Sequence, residues 1–124
     1  MKVDHRDVIV VGAGGHSRVV IDTLIQAGHR VRGAVDPNLR AGERIVDDVI
    51  VLGGDDVLAN GSSHEIVLAN GVGSMGLPAD RQRVFDTFSA QGFEFVTLCH
   101  PSAIISANVT LGEGVQIMAG AIIQ

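Results

Sequence analysis

Residues 8–20 read VIVVGAGGHSRVV, an apolar run that breaks into glycines and then resumes at helical spacing. The pattern predicts a buried strand, a tight turn and a helix that begins near Ser17 as its N-cap, which together form the first unit of a Rossmann-like parallel sheet. Gly12, Gly14 and Gly15 let the backbone turn sharply and come close to a ligand. Because free N–H groups at the start of a helix attract anions, we expect a phosphate-bearing ligand at this turn.

Two residues distinguish this turn from the dinucleotide-binding fingerprint G-x-G-x-x-G. Ser17 stands where the fingerprint has its third glycine, so the motif supports NAD binding only weakly. His16 lies at the entrance of the helix, where an imidazole can reach a bound ligand or can simply pack against its own helix. We treat His16 as a candidate ligand contact.

Two further strands are predicted to end at the same edge of the sheet. The first of them, residues 31–35, ends at Asp36, and an acid at the end of the second strand of such folds binds ribose hydroxyls or a base edge. The next, residues 65–69, runs into Asn70 and Gly71. Because the carboxyl ends of parallel strands lie at one edge, we expect Asp36 and Gly71 to line one crevice with the glycine turn.

The other elements of this part of the chain have weaker signals. Residues 40–48 are polar and contain a glycine, which predicts a loop that leads to a short apolar strand at 49–52. A short helix is predicted at 57–59 and a longer one at 78–91, with a proline in its first turn and a glycine after its end. Residues 93–98 are predicted to form the last strand of the sheet.

After residue 100 the apolar residues recur every six positions. Neither a helix nor an alternating strand has this period, whereas a hexapeptide parallel β-helix does. We therefore predict a Rossmann-like domain at 1–99 and the start of a β-helix at 100–124, in a chain that forms the first part of a longer polypeptide. The two series of predicted inward-facing residues are Ile105, Leu111, Ile117 and Ile123, and Ala103, Val109, Val115 and Ala121.

Composition excludes several classes of function. The chain has 124 residues, 46% of them hydrophobic, and a formal net charge of −5 without a cluster of Lys or Arg, so we expect no nucleic-acid partner. No signal peptide and no apolar run of membrane-spanning length are present, which predicts a cytoplasmic protein without membrane insertion. The single cysteine and the scattered histidines predict no disulfide within the chain and no metal site.

The order of these motifs resembles the NeuD/PglD-type sugar acyltransferases. The resemblance is carried by the turn at residues 12–16, by Asp36, by the strand that runs into Asn70 and Gly71, by Arg81 in the next helix, and by His100-Pro101-Ser102-Ala103 before the hexads. It covers almost the whole chain. One departure is Pro37, where some relatives with UDP-sugar substrates carry a second acid.

The resemblance implies a sugar acetyltransferase of surface-glycan biosynthesis. In that family the Rossmann-like domain binds a nucleotide-activated amino sugar or a sialic acid, and a left-handed β-helix binds acetyl-CoA between the subunits of a homotrimer. The implied substrate-binding residues are Gly12, Gly14, Gly15, His16, Asp36 and Gly71. The general base is a histidine further along the β-helix that has no counterpart in these residues, since His100 matches a structural junction. We therefore expect this chain alone to be inactive.

Two other interpretations stay open. A small NAD(P)-binding Rossmann module explains the glycine turn but assigns no role to the hexads. A structural or assembly module uses the hexads only to start a trimer. Neither the sugar, nor the nucleotide, nor the choice between N- and O-acylation follows from the sequence.

Overall fold

The glycine turn connects the first strand and the first helix of a three-layered α/β fold in a computed structural model that describes residues 4–59, 63–73 and 78–124. The strands and helices of its α/β part are β1 (Asp7–Val11), α1 (Gly15–Gln26), β2 (Val31–Val35), β3 (Arg44–Val46), β4 (Val49–Gly53), α2 (Asp56–Ala59), β5 (Ile66–Asn70) and α3 (Pro78–Ala90). Four short strands follow: β6 (Leu98–Cys99), β7 (Ile104–Ile105), β8 (Gln116–Ile117) and β9 (Ile122–Ile123).

The main sheet has the order β3-β4-β2-β1-β5. Strands β4, β2, β1 and β5 are parallel, and only the edge strand β3 runs antiparallel to its neighbour. The predicted mixed α/β fold with a parallel sheet and flanking helices is confirmed. Since the parallel strands end together, the turns after β1, β2 and β5 lie at one edge of the sheet.

Both faces of the sheet are covered, which explains why β1 is apolar at every position from Val8 to Val11. Val8 and Val10 pack with the buried face of α1 in one core cluster. Ile9 and Val11 pack with α2, with α3 and with the chain after it in the other. The alternation of side chains along β1 therefore joins two cores through one strand.

The start of α1 differs from the prediction. The helix begins at Gly15 with Gly14 as its N-cap, and no side chain caps it. Ser17 is not the N-cap: it is fully buried in the first turn, and its hydroxyl donates a hydrogen bond to the carbonyl of Gly14. The physical reason is that the Gly14 backbone is already extended, so the helix starts there without help from a side chain.

Two other predictions about strands were wrong. Residues 40–48 are not all loop, because β3 forms a hairpin with β4 around a tight turn in which Asp47 has a φ of 50°. Residues 93–98 form no full strand: Phe95 makes a single parallel bridge to Leu68, and Leu98 turns away to pair in β6. Strands of two or three residues are too short to be recognised in the sequence by an alternation of apolar and polar residues.

The C-terminal strands pair across three six-residue repeats. β6 pairs in parallel with β8, and β7 pairs in parallel with β9. Ser102 Oγ likewise accepts a hydrogen bond from the N–H of Gly120, 18 residues further along the chain. This unit packs on the main fold, since Leu98 is fully buried in the core next to α1 and Met118 packs against the same cluster. No helix of the described residues is long and apolar enough to cross a bilayer.

His29, at the opposite edge of the sheet from the glycine turn, makes stability depend on pH. Its Nδ1 is buried without a hydrogen-bond partner among the described residues, and burial lowers the pKa of the imidazole below its usual 6.5, although Asp4 acts in the opposite direction. The contribution of His29 to stability is therefore complete above pH 6.5 and declines as the pH falls below it, because the unfolded chain takes up the proton first.

We expect His29→Gln to reduce the loss of stability that occurs when the pH falls below 6.5. The free energy of unfolding, measured with urea at several values between about pH 7 and pH 5, should fall less steeply with decreasing pH in the variant than in the native chain. Parallel curves would contradict the assignment. His5→Gln, at an exposed position, is the matched control and should leave the slope unchanged.

Candidate functional site

The glycine turn is held by contacts to both neighbouring strands. The N–H of Gly12 donates to the carbonyl of Val35 at 2.8 Å, and Gly12 has a φ of 97°, which a side chain rarely tolerates. A Cβ at Gly12 would also lie 3.1 Å from Cγ2 of Val72. Gly12 is thus needed for the fold of the turn, whether or not a ligand binds.

Gly14 and Gly15 differ from Gly12 because they face open space. A Cβ at either position would meet no atom within 4 Å, and neither has a backbone conformation that requires glycine. They border a cleft of about 420 Å³ that Arg18, Glu43 and Arg44 also line, and we call it the glycine cleft. The absence of side chains here leaves the amino end of α1 accessible from this cleft.

Asp36 lies beside the turn, and its carboxylate is bound to main-chain N–H groups. Oδ2 accepts a hydrogen bond from Ala13 at 3.0 Å, and Oδ1 accepts one from Asn38 at 2.9 Å. Asp36 therefore ties the glycine turn to the loop after β2. An acid that stabilises a turn was the alternative to ligand binding at this position, and a carboxylate with further lone pairs can still accept a hydrogen bond from a ligand hydroxyl.

His16 is half-buried in the first turn of α1 and contacts the C-terminal unit. Its Nε2 lies 3.2 Å from Oε1 of Gln116 in β8. Nε2 of Gln116 in turn donates to the main-chain carbonyl of Asn70 at 2.7 Å. One amide side chain therefore connects the ends of α1 and β5.

Gly71 is buried where the end of β5 passes close to the glycine turn. A Cβ at Gly71 would lie 2.6 Å from the carbonyl oxygen of Gly12 and 2.7 Å from Cγ1 of Val10. It would also lie 3.1 Å from Cβ of Ser17. Packing alone therefore requires glycine at position 71, and the contact explains how Ser17 fits where the dinucleotide fingerprint has glycine.

Residues from distant parts of the sequence complete this edge of the sheet. Arg44 and Glu43 reach the glycine cleft from the start of the hairpin that the sequence did not reveal. Gln116 was missed because it is a single polar residue within the hexads. Its position between the predicted inward-facing Val115 and Ile117 was the available signal that its side chain points away from the hexad interior.

Among the described residues, no group of His, Cys, Asp and Glu is arranged to hold a metal ion.

A larger cavity, of about 940 Å³, lies at the other edge of the sheet. Its charged residues are already paired with one another: Arg6 contacts Asp4 at 2.6 Å and Glu94 at 3.1 Å. The Arg6 guanidinium donates hydrogen bonds to the Asp4 carboxylate and so holds the pKa of that carboxyl below its usual value. With these charges satisfied internally, the cavity is a weaker candidate for an anionic ligand than the glycine cleft.

Comparison with solved structures shows that the fold is similar to that of two acetyltransferases. The fold matches the acetyltransferase domain of PglB from Neisseria gonorrhoeae with a TM-score of 0.82 and 28% identity, over 95% of this chain and 56% of that one. The same domain has been solved in complex with acetyl coenzyme A. A mutant of perosamine N-acetyltransferase from Caulobacter crescentus, in complex with CoA and GDP-perosamine, matches with a TM-score of 0.82 and 34% identity, over 100% of this chain and 57% of that one.

Comparison of sequences also finds an acetyltransferase as a relative. UDP-N-acetylbacillosamine N-acetyltransferase of Bacillus subtilis is 29% identical over 92% of this chain and 52% of its own length. The chain thus spans about half the length of the relatives it matches. The family model of the PglD N-terminal domain matches residues 7–88, from β1 through most of α3. The predicted resemblance is confirmed, and the chain belongs to the PglD N-terminal domain family.

Proposed function

We propose that this chain binds a nucleotide-linked amino sugar in the glycine cleft, as the substrate-binding part of an acetyl-CoA-dependent sugar N-acetyltransferase. The observation that carries the proposal is the uncapped amino end of α1, next to two glycines that face open space. The relatives named above act on amino sugars or were solved with one, which favours an amino sugar over a sialic acid.

The charges around the cleft suit a diphosphate. The first-turn N–H groups of α1 carry the positive end of the helix dipole, and no acidic residue lies in that turn. Arg18 and Arg44 line the same cleft together with one acid, Glu43, so the cleft carries net positive charge in a chain that is negative overall. Asp36 and His16 lie next to the turn but are not among the residues that line the cleft, and we assign them to the polar groups of the nucleoside and the sugar that extend beyond it.

We further propose that the C-terminal strands are the first coil of a left-handed β-helix. The parallel pairs join residues three hexads apart, and all eight of the predicted inward-facing residues are buried or half-buried. Ile104 and Ile122, which lie between them in the sequence, are each 64% exposed. We set the boundary at residue 97 instead of 99, because Leu98 already pairs with Gln116.

In this proposal the complete protein is a homotrimeric cytoplasmic enzyme that binds acetyl-CoA at its β-helix. The neutral sugar amine attacks the thioester carbonyl, the C–S bond breaks and an amide forms, while a base takes the proton lost by the amine and passes it to the sulfur, so that CoA leaves as the thiol. We assign no residue of this chain as that base. The part assigned to this chain is to bind and orient the amino sugar, so the chain alone is expected not to transfer acetyl groups.

Titration calorimetry on the 124-residue chain tests this function. We expect saturable binding of GDP-perosamine or of a UDP-linked amino sugar, competed by the corresponding free nucleoside diphosphate. NAD serves as the control ligand and should not bind. Binding of NAD without binding of either sugar nucleotide would contradict the proposal and support a dinucleotide-binding module instead.

A further inference from the structure

We infer that Gln116 is a positioning residue that fixes the tautomer of His16. The Gln116 amide is held by Asn70, and its oxygen accepts a hydrogen bond from Nε2–H of the imidazole, which leaves Nδ1 as the acceptor of the neutral ring. The part of this inference that concerns the ligand rests on the proposed function, whereas the tautomer follows from the contacts within the chain.

The orientation of the Gln116 amide is determined by its partner on β5. The carbonyl oxygen of Asn70 can only accept a hydrogen bond, so the amide nitrogen of Gln116 must face it, at 2.7 Å. The amide oxygen then faces His16. A flipped amide would place two oxygens in contact at this distance and lose the hydrogen bond.

Asn70 provides a rigid acceptor. It is only 5% exposed at the end of β5, and both ends of its side chain are bonded. Nδ2 donates to the carbonyl of Arg81 at 3.0 Å, and Oδ1 accepts from the N–H of Val72 at 3.1 Å. Because the strand end and the side chain of Asn70 are both fixed, the Gln116 amide has one favourable orientation.

The direction of these bonds determines what His16 offers to a ligand. Oε1 of Gln116 accepts only, so Nε2 of His16, 3.2 Å away, must carry the hydrogen. A neutral imidazole carries only one N–H, so Nδ1 of His16 is then an acceptor. The hydrogen bond made by one ring nitrogen thus determines the role of the other. His16 therefore suits a ligand group that donates, such as the amine or a hydroxyl of the sugar.

Nitrogen NMR of the histidine-labelled full chain tests the tautomer directly. At alkaline pH, where imidazoles are neutral, we expect His16 to show a protonated Nε2 and an unprotonated Nδ1, with its signals assigned by comparison with His16→Asn. Gln116→Met removes the acceptor at similar size, and His16 should then become a mixture of both tautomers. Gln91→Met, at an exposed position after α3, is the matched control and should leave the His16 signals unchanged.

A second variant keeps the inference testable if Gln116→Met fails to fold. Gln116→Ala removes the same acceptor, leaves no oxygen opposite the Asn70 carbonyl, and should likewise make His16 a mixture of both tautomers. Identical His16 signals in the native chain and in a folded Gln116→Met variant would overturn the inference, and so would a native His16 protonated on Nδ1.

The ligand part has a separate readout. Addition of GDP-perosamine should shift the Nδ1 signal of His16 in the native chain and should shift it less in Gln116→Met. If the sugar nucleotide binds without changing Nδ1, the role of His16 toward the ligand is wrong although the tautomer assignment stands. If no sugar nucleotide binds at all, the proposed function fails, and the tautomer result is unaffected.

Discussion

Gly71→Ala should destabilise the chain by about 3 kcal/mol, the upper end of the usual cost of overpacking. The added methyl would lie 2.6 Å from the carbonyl oxygen of Gly12 and 2.7 Å from Cγ1 of Val10. Neither atom can move freely, because Gly12 belongs to the hydrogen-bonded turn and Val10 is fully buried in β1. Relief therefore requires β5 or the glycine turn to shift. Urea denaturation measures the loss as a lower midpoint with an unchanged slope.

Gly14→Ala is the matched control at the same edge of the sheet. An added Cβ there meets no atom within 4 Å, and the backbone conformation is open to alanine. We expect stability to change by less than about 1 kcal/mol, because the lower unfolded-state entropy of alanine and its poorer performance at an N-cap oppose each other. Equal losses in the two variants would show that close packing at Gly71 is not what requires the glycine.

The contrast between Gly71 and Gly14 also shows which features of the fold can be predicted from the sequence. The apolar run before the turn, the helix after it and the strands at 31–35 and near 66–70 all follow local patterns; the strands were predicted almost to the residue, and the helix with its N-cap at Ser17 instead of Gly14. The reason for each glycine was not predictable, because it depends on which strand end passes nearby. Gly71 was expected to contact a ligand, yet its packing against Gly12 explains the glycine by itself.

Features of the site that depend on distant contacts were the ones missed. Gln116 lies 100 residues from His16, and only the packing of β8 against the carboxyl edge of the sheet brings them together. The hairpin that presents Arg44 was read as a loop because β3 has three residues, too few for a recognisable alternation. The local pattern thus predicted the glycine turn itself, but not the distant residues that surround it.

Gly14→Val should weaken binding of the nucleotide sugar about 100-fold while leaving the fold intact. The new side chain would project into the open space in front of the amino end of α1, where we propose that the diphosphate lies. Loss of two charge-assisted hydrogen bonds, at about 1.5 kcal/mol each, weakens binding about 100-fold. Calorimetric titration with the sugar nucleotide that binds the native chain measures the change, and urea denaturation checks that the variant is folded.

Gly112→Val serves as the control for this substitution. Gly112 is also exposed, and a Cβ there makes only an ordinary contact with Val115 at 3.8 Å, away from the glycine cleft. Its affinity should match that of the native chain. Because Gly14 and Gly112 both gain the same side chain at open positions, a difference in affinity between the two variants is due to the position of the valine in the cleft and not to its size alone.

Unchanged affinity in a folded Gly14→Val variant would show that the ligand binds elsewhere on the chain. The cavity at the opposite edge of the sheet, beside Arg6 and His29, would then be the next site to test.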